Sequence, residues 1–161
     1  MGARTVIIGV GNALLGDDGV GVVVARRLAT QRSPSWDADV IECAVGGLGL
    51  AERMVGYRLA IVVDALLALD GEPAGRTRRI TLADCRSARH AASTHDTDLP
   101  LALATLAELG EPVPDAVELV GITAERMDAF DDRLSAPVAA AADALVASIA
   151  ARFDRGEKRA P

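Results

Sequence analysis

Three residues far apart in the chain carry the side chains best suited to chemistry. Asp18 is the second acid of the stretch GVGNALLGDDG, Asp64 closes the apolar run LAIVV, and His95 stands in ASTHDTDLP as one of only two histidines. Two carboxylates and an imidazole would offer two oxygen ligands and one nitrogen ligand and leave positions open on a divalent ion such as nickel or zinc. Each has a plainer reading too: Asp17 or Asp18 as a helix cap, Asp64 as the start of a loop, His95 as a surface side chain. His90, beside Arg89, stays with the plain reading. The three gain weight together only if the fold brings them to one edge.

The elements that would do so can be read from the periodicity. Strands are predicted at Thr5 to Gly9, Asp37 to Cys43, Leu59 to Val63, Arg78 to Leu82 (an edge strand) and Ala116 to Ile122. Helices are predicted at Gly19 to Thr30, Leu50 to Val55, Leu99 to Leu109 and Ala136 to Arg152, the last capped by Ser135. Gly46 to Gly49 reads as a turn, and residues Leu66 to Thr77, with Gly71, Pro73 and Gly75, read as a loop. Alternation of this kind predicts an α/β fold: one three-layer domain with a twisted, mostly parallel five-stranded sheet between helices. The domain is expected to span residues 1–152, leaving 153–161 as a frayed tail. In such sheets ligands gather beyond the strand C-termini, where Asp18 and Asp64 are expected. Of the paired acids, Asp17 is assigned to capping the first helix, which leaves Asp18 to face the crevice.

Composition excludes several classes. The chain has 161 residues, half of them apolar, and its four aromatic residues leave Ala, Val, Leu and Ile to build the core. A net charge of −6 without a basic patch argues against nucleic acid or an anionic membrane as partner. Two cysteines, Cys43 and Cys85, make no disulfide framework. No stretch of about 18 uninterrupted apolar residues suggests a membrane span, no signal peptide is evident, and a cytoplasmic home is expected. The Gly9-Val10-Gly11 turn invites a nucleotide-binding reading, but Leu14 occupies the third glycine position of the dinucleotide fingerprint and the paired acids would repel a pyrophosphate. H-E-x-x-H, G-x-S-x-G and C-x-x-C signatures are all missing.

Taken in order, GVGNALLGDDGVGVVVARRL, IVVDAL, STHDTDLPLAL and ELVGITAERM resemble the hydrogenase maturation proteases over nearly the whole chain. The resemblance implies an endopeptidase that removes the C-terminal extension of a nickel-iron hydrogenase large-subunit precursor once nickel is inserted. It implies that Asp18, Asp64 and His95 contact the metal, and that the nickel is carried by the substrate, with no tightly bound cofactor in the protease. A metal-sensing checkpoint module that binds the precursor without cutting it is the alternative. Two departures stand out. Asp18 replaces the glutamate of many members, and Ala44-Val45-Gly46-Gly47-Leu48-Gly49 stands where the family often has an Asp-Gly-Gly-Thr run. The loss of that acid bears on which large subunit is accepted.

Overall fold

The computed structural model describes residues 5–85, 98–125, 127–128 and 130–156. Five strands form one sheet: β1 (Thr5–Val10), β2 (Ala38–Cys43), β3 (Leu59–Leu67), β4 (Thr77–Ile80) and β5 (Ala116–Ala124), in the order β2-β1-β3-β5-β4. The first four in that order run parallel, and β4 closes the edge antiparallel to β5. The helices are α1 (Val20–Gln31), α2 (Gly47–Glu52), the single turn α3 (Leu82–Cys85), α4 (Leu99–Glu108) and α5 (Ala136–Asp154). The three-layer α/β architecture expected from the alternation is therefore the one observed.

Strand periodicity divides the core into two sheets of packing. On β3, Leu59, Ile61, Val63 and Ala65 face α1 and α5. Ala60 and Val62 face the opposite layer, against α2 and α4. All of these are buried, as a central strand covered on both faces requires. Helix α1 seats on the sheet through two glycines. A Cβ on Gly9 would lie 2.0 Å from the Gly21 carbonyl oxygen, and one on Gly21 would lie 2.2 Å from that of Val63. Backbone meets backbone here, a distance that no larger residue permits.

Several boundaries differ from the sequence reading. Strand β3 does not stop at Val63; it continues to Leu67 because β5 is equally long and pairs with it through Leu67↔Ala124. Helix α2 begins at Gly47, so the expected glycine turn is its first turn. Helix α5 passes Arg152 and ends at Asp154, so Phe153 and Asp154 belong to the helix. Phe153 stacks on Trp36 with centroids 5.3 Å apart, and the Trp36 indole donates to Asp154 at 2.8 Å. This pair gives the C-terminal turn of α5 something to hold. The 19-residue α5 also has the length and apolar character of a membrane-crossing helix. Its buried stripe of Val138, Ala142, Val146 and Ile149 packs into the core with α1 and the sheet, which accounts for that character.

Candidate functional site

The strand order places a topological switch between β1 and β3. From β1 the chain moves outward to β2, then crosses to β3 on the other side of β1. The connection leaving β1 runs outward to β2 and the one leaving β3 runs the other way, past β5 to β4, the arrangement that opens a crevice beyond the strand C-termini.

Asp64 marks that crevice. The β1–β3 pairing ends at Gly9↔Val63, while β3 continues beside β5 with Asp64↔Gly121. Asp64 is thus the first β3 residue beyond the last pair with β1, and strand alternation turns it toward the α2/α4 layer. It is 3% exposed, and its Oδ1 accepts the Ala65 N–H at 2.8 Å. The expectation that Asp64 follows the strand is corrected: it lies inside a longer one. Its location at the C-terminal edge nevertheless holds, because the neighbouring strand is the shorter.

The loop after β1 folds back on itself to present Asp18. Gly11 has φ +133, and a Cβ there would lie 1.9 Å from the Asp18 carbonyl oxygen, so only glycine lets the two segments close. Asn12 donates its backbone N–H to Asp18 Oδ2 at 2.7 Å, and its own side-chain oxygen accepts the Leu14 N–H at 3.0 Å. Asp18 stays partly exposed, and among the described residues it has no ion-pair partner.

Asp17 does something the sequence did not reveal. A 3-10 turn, Gly16–Gly19, precedes α1, whose N-cap is Gly19 with no side-chain cap bond. Neither aspartate caps α1. Asp17 is 1% exposed and accepts two bonds from the start of α5, the Ser135 N–H at 2.7 Å and the Ser135 hydroxyl at 2.9 Å. Ser135 occupies the expected N-cap position, but its hydroxyl serves Asp17 and makes no cap bond. The same junction is reinforced where Gly16 donates to Asp131 O at 2.6 Å and Asp131 donates to Leu14 O at 3.2 Å. Sequence separation hid this contact: a buried acid over a hundred residues from its partner leaves no periodic trace.

The opposite wall comes from α2 and α4. Gly11 donates to Cys43 O at 3.2 Å, tying the first loop to the end of β2. A Cβ on Gly47 would lie 3.7 Å from that of Asp98, so the N-termini of α2 and α4 are neighbours. His95, the third candidate, and His90 lie outside the described residues. The segment that carries them joins α3 to α4, and Cys85 and Leu99 at its two ends are buried in the layer that Asp64 faces. Among the described residues, no group of three or more His, Cys, Asp or Glu side chains forms a metal-holding cluster. Cys43 and Cys85 are both buried, the former donating to the Val45 carbonyl at 3.2 Å.

Comparison with known proteins places this geometry. A family model described as hydrogenase maturation protease matches residues 22–152, a span that includes Asp64 and His95 and begins just after Asp18. The fold is similar to that of the hydrogenase maturating endopeptidase HybD from E. coli, with a TM-score of 0.75 at 24% identity over 95% of this chain and 94% of that one. It is also similar to the [NiFe] hydrogenase maturation protease HycI from Thermococcus kodakarensis, with a TM-score of 0.71 at 25% identity over 94% and 93% of the two chains. A third similar structure is the hydrogenase 2 maturation peptidase from a Thaumarchaeota archaeon, with a TM-score of 0.66 at 27% identity over 96% and 99%. Against the curated proteins, no sequence match is significant.

Proposed function

Because the chain belongs to the hydrogenase maturation protease family, we propose that it is the endopeptidase that trims the C-terminal extension of a nickel-iron hydrogenase large-subunit precursor after nickel insertion. The observation that carries the reading is the position of Asp64 and the Asp18 loop at one switch-point crevice. Two carboxylates at one opening suit a cation delivered by the substrate, because mutual repulsion is relieved when the charge arrives.

In this reading Asp18, Asp64 and His95 contact the nickel already seated in the precursor. The ion reports a finished metal site, and its docking orients the scissile peptide in the crevice. Nickel held there is also positioned to polarise the scissile carbonyl or a water. The rigidity of the Asn12–Asp18 loop, and the anchoring of its base to α5 through Asp17, favour such positioning, since neither carboxylate must be ordered at the moment of reaction.

The test is intact mass of the precursor, nickel-loaded and nickel-free, incubated with this protein and with its His95→Ala variant. Loss of a C-terminal peptide is expected only with nickel and only with the unmodified protein. Binding without any mass change would instead identify a checkpoint module that holds the precursor without cutting it.

A further inference from the structure

The apolar side chains that the fold leaves in solvent are not spread evenly. Eight large ones are exposed among the described residues. Seven lie at the C-terminal edge of the sheet: Leu67 as the last residue of β3, the others in the connections there or in the first turns of α2 and α4, which begin there. The exception, Leu109, lies at the far end of α4.

Two lips can be distinguished. One carries Leu14 and Phe130, 58% and 88% exposed, on segments joined where the Asp131 N–H donates to the Leu14 carbonyl. The other carries Val45, Leu48 and Leu101, 49 to 68% exposed, around the neighbouring N-termini of α2 and α4. Leu14 stands in the loop that presents Asp18, and β1 and β3, from which that loop and Asp64 come, are neighbours in the middle of the sheet. Scattered exposed leucines are ordinary, but their concentration at one end, around an acidic centre, is the signature of a protein-binding face.

Resting on the protease reading above, we propose that these lips are the docking surface for the folded body of the hydrogenase large-subunit precursor. Side chains exposed to this degree stand out from the surface, so a strand-like peptide lying in the crevice would leave much of them wet. A folded partner with apolar hollows covers them. The acidic centre between the lips complements a partner that brings a cation to the middle of the contact.

The experiment uses the nickel-loaded precursor and measures both Kd and cleavage kinetics for the unmodified protein, a Phe130→Ser variant of the first lip, a Val45→Ser/Leu48→Ser double variant of the second and a Leu109→Ser control. Each lip variant is expected to raise Kd and KM by about tenfold or more with kcat retained at saturation, while Leu109→Ser changes neither. Unchanged melting temperatures confirm that the variants are folded. Lip variants that bind and cleave like the unmodified protein overturn the docking surface and leave the protease reading standing. An unmodified protein that binds without cleaving, with the lip variants binding weakly, overturns the protease reading and leaves the surface standing. An unmodified protein that does not bind the precursor overturns both.

Discussion

The two ends of the sheet use charged and apolar groups in opposite ways. At the strand N-termini, charge is neutralised by side-chain partners. The Arg152 guanidinium, held by α5, makes two bonds to Glu118 on β5 at 2.8 and 2.9 Å with both side chains largely buried. Tyr57 donates to Asp39 at 2.9 Å, and Arg58 pairs with Asp115. Beside them Trp36 and Phe153 stack against one another. At the strand C-termini Asp64 accepts the Ala65 N–H and Asp18 the Asn12 N–H, and large apolar side chains stand in solvent. One end is built to stay closed; under the proposed function the other is the end that meets the precursor, so that stability and substrate binding fall at different places on one sheet.

The strongest way to break that contrast is at the closed end. Arg152→Met removes the two guanidinium bonds from the partly buried Glu118 and is expected to cost about 1.5 to 3 kcal/mol of unfolding free energy. Adding Glu118→Leu should recover most of it, and urea titration of the three proteins checks both. The folded fraction of either variant should retain its affinity for the precursor.

At the open end the effect should appear in activity. Asp18→Asn and Asp64→Asn are each expected to slow precursor cleavage by about 100-fold, the scale set by losing one charged group that meets the reacting centre. Melting curves should shift by only a few degrees. An Asp64→Asn protein cleaving at the normal rate would remove that carboxylate from the mechanism.

Asp17→Ala connects the two regimes. It strips the Ser135 N–H and hydroxyl of their acceptor at the start of α5, an expected loss of about 1 to 3 kcal/mol. Because Asp17 adjoins Asp18, cleavage should fall as well, whereas Arg152→Met, at the other end of α5, should spare it. A stability loss without any change in cleavage would show that the loop holds its shape unaided.

The smallest effect concerns pH. Burial, followed by the hydrogen bond to Asp39 and the charge of that carboxylate, raises the Tyr57 hydroxyl above its ordinary value near 10. The folded state therefore holds this proton more tightly than the unfolded chain. The stabilisation is fully present below about pH 10 and is lost as pH rises through the folded value. Unfolding free energies measured across pH 9 to 12 should decline less steeply in Tyr57→Phe than in the unmodified protein, by about 1 kcal/mol or less.

How legible each feature was in the sequence follows from the range of the interactions behind it. Strands β1 and β3 and the buried stripe of α5 were readable because hydrophobic periodicity is a local signal. The length of β3 was not, because its last four residues are strand only by virtue of pairing with β5. Asp64 stood out as the acid of an apolar run, and Asp18 as one of two acids, but their division of labour could be resolved only halfway. Asp18 was correctly left free of the cap. Asp17 was given to α1, when the 3-10 turn carries it instead to Ser135, more than a hundred residues away.

Sequence alone thus determined the fold class, the family and the identity of the acids at the sheet edge, because each rests on spacing within a short window or on motif order. Tertiary structure decided which acid is structural, where the crevice opens and which apolar side chains ring it. Those depend on strand order and on contacts between segments distant in the chain, and a local pattern carries no information about which distant group will arrive to meet it.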